Sequence, residues 1–150
     1  MTYLQDSHIY VKSPQQVAKV FLDLLLLEDA VDRDKEHFYV MHLNVRNRVK
    51  LVELVNLGTL TSSLVHPRET FRRAVMQGSA HIVVAHNHPS GEADPSEEDI
   101  RVTKLLHEAG NLLGITLLDH LIFTPTSFYS FKENRTHTIQ EAHTGEEVKR

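Results

Sequence analysis

The stretch HIVVAHNHPSGEADPSEED, residues 81–99, decides how the rest of the chain is read. His81 to Ala85 is a short apolar run with branched Ile82, Val83 and Val84, suited to a strand in the middle of a sheet. A polar loop from His86 to Pro95 follows, shaped by Pro89, Gly91 and Pro95. Ser96 then opens a helix to about Ala109, with Val102, Leu105, Leu106 and Ala109 facing inward. Gly110 and Gly114 punctuate its end.

His86 and His88 are two apart at the end of that strand. In extended chain, residues i and i+2 point to one side, about 6.5–7 Å apart at the backbone. Two such imidazoles can converge on one ion, and the apolar strand gives them a rigid base. Asp99 lies one turn into the helix, and the loop can fold back to bring its carboxylate in as third ligand. Two neutral imidazoles and a carboxylate leave a tetrahedral site one position short, the place of a catalytic water. A plainer reading stands beside this. Ser96 and Asp99 also form the capping-box pattern, and Glu97 and Glu98 suit the first turn of any helix. Capping leaves unexplained why two histidines stand just before it.

Outward from the motif, Ser13-Pro14 reads as N-cap and first position of a helix. Val17, Val20, Phe21, Leu24 and Leu27 make its apolar face, and it fades near Asp32 to Lys35. Phe38, Val40, Leu43 and Val45 mark a strand, Arg46-Asn47-Arg48 a hairpin turn, and Val49 to about Leu60 a second strand with Gly58 a bulge or bend. His66-Pro67 starts another helix, with Phe71, Ala74 and Val75 inward and Gly78 at its end. After the motif come a strand over 115–124, a turn at Pro125-Thr126 and a strand from Phe128 to Phe131. Residues 134–150 read as a polar, frayed tail. Two strand hairpins among helices predict an α/β sandwich with a mixed or mostly antiparallel sheet, in a single domain over residues 1–133.

The chain has 150 residues and is 41% hydrophobic, enough for one buried core. It has no cysteine, so any metal must be held by nitrogen and oxygen. No apolar run reaches the roughly 18 residues of a membrane span. The N-terminus lacks the pattern of a secretory signal, which makes the cytoplasm the default compartment. With a net charge of −4, no broad nucleic-acid face is expected. Arg46, Arg48 and Lys50 read as a solvated turn.

The gapless pattern His86-x-His88, seven residues, Ser96, two residues, Asp99 resembles the metalloprotease motif of JAMM (MPN) domains. The fuller HNHPSGEADPSEED resembles the RadC form of it. EHFYVMHLNVRNRV, GTLTSSLVHPRETFRRAV and LLDHLIFTPTSFYSF resemble RadC segments in the same order. The resemblance implies the MPN fold, a curved mixed sheet between helices. It implies zinc on His86, His88 and Asp99, with Ser96 stabilising an oxyanion. It also implies an upstream glutamate as general acid/base, a position that Glu36 matches. Glu53 is the rival, because an unpaired acid inside an apolar strand would be costly. His120, in the polar pair Asp119-His120 of an apolar strand, reads as a hydrogen-bonded histidine rather than a ligand. His42, His66 and His81 carry less weight.

These readings predict a zinc-dependent metallopeptidase or isopeptidase acting on a peptide or isopeptide substrate. The alternative is an accessory or protein/DNA-interaction module that keeps the metal without independent peptidase activity. Longer RadC proteins carry a helix-hairpin-helix-like segment, whereas here one helix precedes the first core strand, so this chain lends a DNA-repair role no support. The same ligand types also make the facial triad of non-haem iron oxygenases. There the carboxylate lies close to the first histidine, whereas here it comes last, on a helix.

Overall fold

The computed structural model describes residues 1–61 and 65–139. The element order is β1 (Thr2–Tyr3), α1 (Pro14–Leu25), α2 (Ala30–Arg33), β2 (His37–Leu43), β3 (Val49–Leu57) and α3 (Pro67–Gln77). It continues with β4 (His81–Asn87), α4 (Glu97–Leu113), β5 (Thr116–Phe123), β6 (Ser127–Ser130) and β7 (Arg135–Thr138). The strands form one sheet in the order β1-β3-β2-β4-β5-β6-β7. Among the described residues, only β4 and β5 pair in parallel. A parallel pair needs a crossover, and α4 supplies it. The loop between β4 and α4 therefore leaves the carboxyl end of a central strand, where open α/β sheets place their ligands.

β4 is buried on both faces. Ile82 and Val84 pack with Phe38, Val40, Phe71, Ala74, Val102 and Leu106 under α3 and α4. Val83 and Ala85 pack with Phe21, Leu24, Tyr39, Met41 and Phe123 under α1. The sheet is thus held between helices, as the α/β reading expected. The Ser13 hydroxyl caps α1 by accepting from the Gln16 N–H, and Pro14 occupies the first turn.

Several local expectations are corrected. α1 ends at Leu25 and Leu27 is exposed, while a separate turn, α2, is capped by Asp29. Val45 is exposed, because the Asn44 side chain accepts from the Arg46 and Arg48 N–H groups and turns the chain there. β3 stops at Leu57, and Gly58 at φ 129 makes the bend. On α3, Val75 faces outward; the inward set is Thr70, Phe71 and Ala74. Arg135–Thr138, read as part of a frayed tail, pairs with β6 as an edge strand. The remainder of that tail, 140–150, lies outside the described residues. Two of the three cations read as a solvated turn are tied down: Arg48 donates to the Ser7 carbonyl and Lys50 to that of Gln77. Among the described residues, no helix is long and apolar enough to cross a membrane.

A single extra residue shapes the site's surroundings. Ile82 pairs with Leu117 but Val83 pairs with Asp119, so Leu118 is a bulge in β5. Before it, Leu117 faces α4; after it, His120 does. α4 runs on through Gly110 to Gly114, its left-handed cap at φ 72. Gly110 is buried, and a Cβ there would collide with the Ile115 carbonyl oxygen and press on the Phe71 ring. Helix propensity favours alanine over glycine by about 1 kcal/mol. Overpacking costs about 1–3 kcal/mol, and backbone cannot yield as a flexible side chain would. Gly110→Ala is therefore expected to destabilise the fold, with a Tm drop of about 2–4 °C for each kcal/mol lost. Thermal unfolding followed by circular dichroism measures it; a raised Tm would show that propensity wins.

Candidate metal centre

His86 is the penultimate residue of β4, and its even position puts it on the α4 face with Ile82 and Val84. β4 is longer than the sequence reading allowed, so His86 lies inside the strand rather than at the start of the loop. His88 follows immediately, its N–H donating to the Phe123 carbonyl of the neighbouring strand. Both positions inherit the rigidity of the sheet. Asp99 is fixed independently. Ser96 and Asp99 close a capping box: Asp99 N–H donates to Ser96 Oγ at 3.1 Å, and Ser96 N–H donates to Asp99 Oδ2 at 2.8 Å. One carboxylate thus closes the cap and also faces the two histidines.

The three side chains meet. His86 Nε2 lies 3.0 Å from Asp99 Oδ1, His88 Nε2 lies 3.2 Å from Asp99 Oδ2, and the two Nε2 atoms are 3.0 Å apart. They are the one group of metal-ligating side chains found within reach of one another among the described residues. Ligands at about 2.0–2.1 Å around a tetrahedral ion stand roughly 3.3 Å from each other. The spacing here is close to that edge length.

The donor set also fits a cation. His88 Nδ1 lies 2.8 Å from the Glu92 carbonyl, which can only accept, so Nδ1 carries the hydrogen and neutral His88 offers a bare Nε2. His86 is 1% exposed, and burial holds its pKa below the ordinary imidazole value against the pull of Asp99. Burial also works on His88, but the Asp99 carboxylate and the Glu92 carbonyl outweigh it and raise its pKa. Burial alone would raise the Asp99 carboxyl; the Ser96 N–H, and a proton held between the carboxylate and the facing His86 and His88 rings, keep it well below the usual range. Electron-rich atoms this close need a proton or a metal ion among them. The cluster can therefore hold a metal ion.

This geometry on this fold agrees with what the chain is similar to. The RadC-like JAB domain family matches residues 11–136. The chain belongs to the RadC family. A UPF0758 protein of Caldanaerobacter subterraneus is 44% identical over 133 residues, covering 89% of this chain and 55% of that protein. UPF0758 protein YsxA of Bacillus subtilis is 44% identical over 128 residues, covering 85% of this chain and 53% of its own. A UPF0758 protein of Chlorobium phaeovibrioides is 48% identical over 103 residues. The chain spans about half the length of the curated relatives it matches.

The other sequence candidates separate around this RadC centre. Glu36 directly precedes β2 and is half-buried; its charge acts on both His86 and His88. Its Oε2 accepts from the Leu60 N–H at 2.8 Å, and its carbonyl accepts from Gly58. Glu53 is elsewhere: Arg73 Nε holds it at 2.6 Å and buried His42 lies 3.7 Å away. Its cost inside the strand is thus met by an ion pair, which removes the reason for a site role. Ser96 is exposed at the mouth of the loop. His66 stands at the N-cap of α3 and His81 at the start of β4, both away from the cluster.

Two residues that the sequence reading did not single out matter here. Buried Asn87, between the two ligand candidates, accepts from the His37 N–H at 2.6 Å and donates to the carbonyls of Arg33 and Lys35. It clamps the backbone on both sides of Glu36. Thr103, one turn beyond Asp99, donates to the Asp99 carbonyl and touches His120. The alternation of β4 would have placed Asn87 on the opposite face from His86. Nothing local in the sequence marks Thr103.

A metal ion must displace the proton that the raised pKa of His88 retains. Affinity is therefore full above that pKa and falls below it, by about tenfold per pH unit for one displaced proton. Asp99→Asn keeps an oxygen for the helix cap and removes the charge. Losing an outer-shell partner costs about 10–100-fold in affinity, so losing this ligand is expected to cost more. Competition against a chromophoric chelator across pH measures both effects. Unchanged affinity in Asp99→Asn would remove Asp99 from the centre.

Proposed function

We propose that this RadC domain is a zinc-dependent hydrolase of amide bonds, acting on a peptide or isopeptide. The observation that carries this reading is the convergence of His86 Nε2, His88 Nε2 and the Asp99 carboxylate beside Glu36. His86, His88 and Asp99 would hold the ion. Zinc, when bound, supplies a Lewis acid that activates water near neutral pH.

The chain's own residues do the remaining work. Glu36 takes the proton of the attacking water and returns it to the leaving amine. Asn87 keeps Glu36 in place, through the carbonyl before it and the N–H after it. Ser96 Oγ accepts the helix-cap bond, and its own O–H is the donor offered to the developing oxyanion. Its exposure at the loop mouth suits contact with a substrate that arrives from solvent. The sheet and α4 close the opposite side of the centre, where His86 and Asp99 are almost fully buried.

One observation favours a second reading. Glu36 Oε2 is engaged by the Leu60 N–H, as in an acid that only ties two segments together. In that case the domain keeps its metal and serves as an accessory module. Glu36→Gln separates the two readings, since the amide oxygen can still accept from Leu60 but cannot serve as base. For a hydrolase, turnover of a peptide or isopeptide panel by the zinc-loaded chain falls by about 10²–10⁴-fold in Glu36→Gln, at unchanged zinc affinity. Equal rates in parent and variant would exclude Glu36 as base. Absence of turnover by the zinc-loaded parent would favour the module.

A further inference from the structure

Behind His86 lies a chain of hydrogen bonds. His86 Nδ1 is 2.9 Å from His120 Nε2, His120 Nδ1 is 2.5 Å from Thr103 Oγ1, and Thr103 Oγ1 is 2.7 Å from the Asp99 carbonyl. The direction of every bond follows from its far end. A carbonyl oxygen can only accept, so the single hydroxyl hydrogen of Thr103 goes to Asp99. Thr103 Oγ1 must then accept from His120, which places the hydrogen on His120 Nδ1. Neutral His120 is left with a lone pair on Nε2, and the hydrogen between the rings belongs to His86 Nδ1. That leaves His86 Nε2 bare, facing His88 and Asp99.

The surroundings hold this chain rigid. His120 is 0% exposed; the Phe131 ring stacks on it at 4.9 Å and 16°, and Phe38 meets it edge-on. The bulge at Leu118 turns His120, rather than Asp119, towards α4. Asp119 is occupied on its own side by Ser130 and the backbone of Lys132. On α4, Asp99 and Thr103 are one turn apart on one face, so the helix that carries one ligand also carries the far end of the chain.

We propose that His120 and Thr103 are positioning residues that fix the tautomer and ring orientation of His86 and so prepare its Nε2 for the metal ion. This rests on the metal-centre reading above. It adds that a third histidine, outside the ligand set, takes the place more often filled by a carboxylate or carbonyl behind a ligand histidine. Because Thr103 is bonded to the Asp99 backbone, the same chain ties the orientation of one ligand to the position of another.

The test uses the full chain with His120→Leu, His120→Gln, Thr103→Val and Thr103→Ser. Zinc affinity is read by chelator competition, and the His86 tautomer in the zinc-free protein by two-bond proton–nitrogen NMR correlation. The parent is expected to show His86 protonated at Nδ1. His120→Leu and Thr103→Val should lose about 10–100-fold in zinc affinity, with the His86 tautomer mixed. Thr103→Ser should behave as the parent. His120→Gln, whose amide oxygen can accept from His86, should recover most of the loss. If His120→Leu does not fold, as judged by circular dichroism, Thr103→Val decides. Affinity within about twofold of the parent in a folded Thr103→Val or His120→Leu would overturn the proposal, as would a parent His86 protonated at Nε2. A parent that takes up no zinc would overturn the metal centre itself. The NMR result would then still judge the tautomer assignment alone.

Discussion

The carboxylate of Asp99 meets two demands at one place. It closes the capping box that starts α4, and it completes the cluster with His86 and His88. A helix cap fixes a side chain to within one hydrogen-bond length of the backbone that it caps. The loop from Pro89 to Pro95 can therefore vary in path while its far end stays anchored. The contacts of Asp99 with His86 and His88 tie the start of α4 to the end of β4, and α4 is the crossover that lets β4 and β5 pair in parallel. Around it, Glu92 orients His88 through its carbonyl, and Thr103 continues from the Asp99 carbonyl towards His120.

The sheet supplies the second half of the arrangement. Because β4 is central and buried on both faces, its two sides do different jobs. The even positions carry His86 to α4, and the odd position Asn87 reaches back to the segment around Glu36. Successive residues of one strand thus place a ligand candidate and brace the candidate base. Polar groups this deep cost several kcal/mol when unpaired. His86, Asn87, Asp99 and His120 each have hydrogen-bonding partners, which is what makes a buried polar cluster tolerable here.

Much of this could be read from residues 81–99. Their order of strand, loop and capped helix placed three converging side chains, and the two hairpins read from residues 38–60 and 115–131 completed the α/β sandwich. Ser13-Pro14 and Pro67 with Gly78 marked helix ends, since capping chemistry is local. What escaped was non-local. Leu27 and Val75 continue the apolar spacing of α1 and α3, yet α1 ends before Leu27 and no described element covers either side chain. β7, with the sequence RTHT, has no apolar alternation; it is held by backbone pairing to β6 and by His137 stacking on Phe128. Thr103 and His120 are 17 residues apart in sequence, and their meeting depends on the crossover that pairs β5 with β4.

The bulge at Leu118 gives β5 a parity. Up to Leu117 the odd residues face α4; from His120 onward the even ones do. Removing Leu118 would close the bulge, leave Asp119 opposite Val83 and keep His120 facing α4. If Leu118 were instead drawn into the ladder opposite Val83, Asp119 would take the α4 face and His120 would turn towards α1. The bulge is thus where β5 can take up one residue of length without exchanging its two faces beyond it.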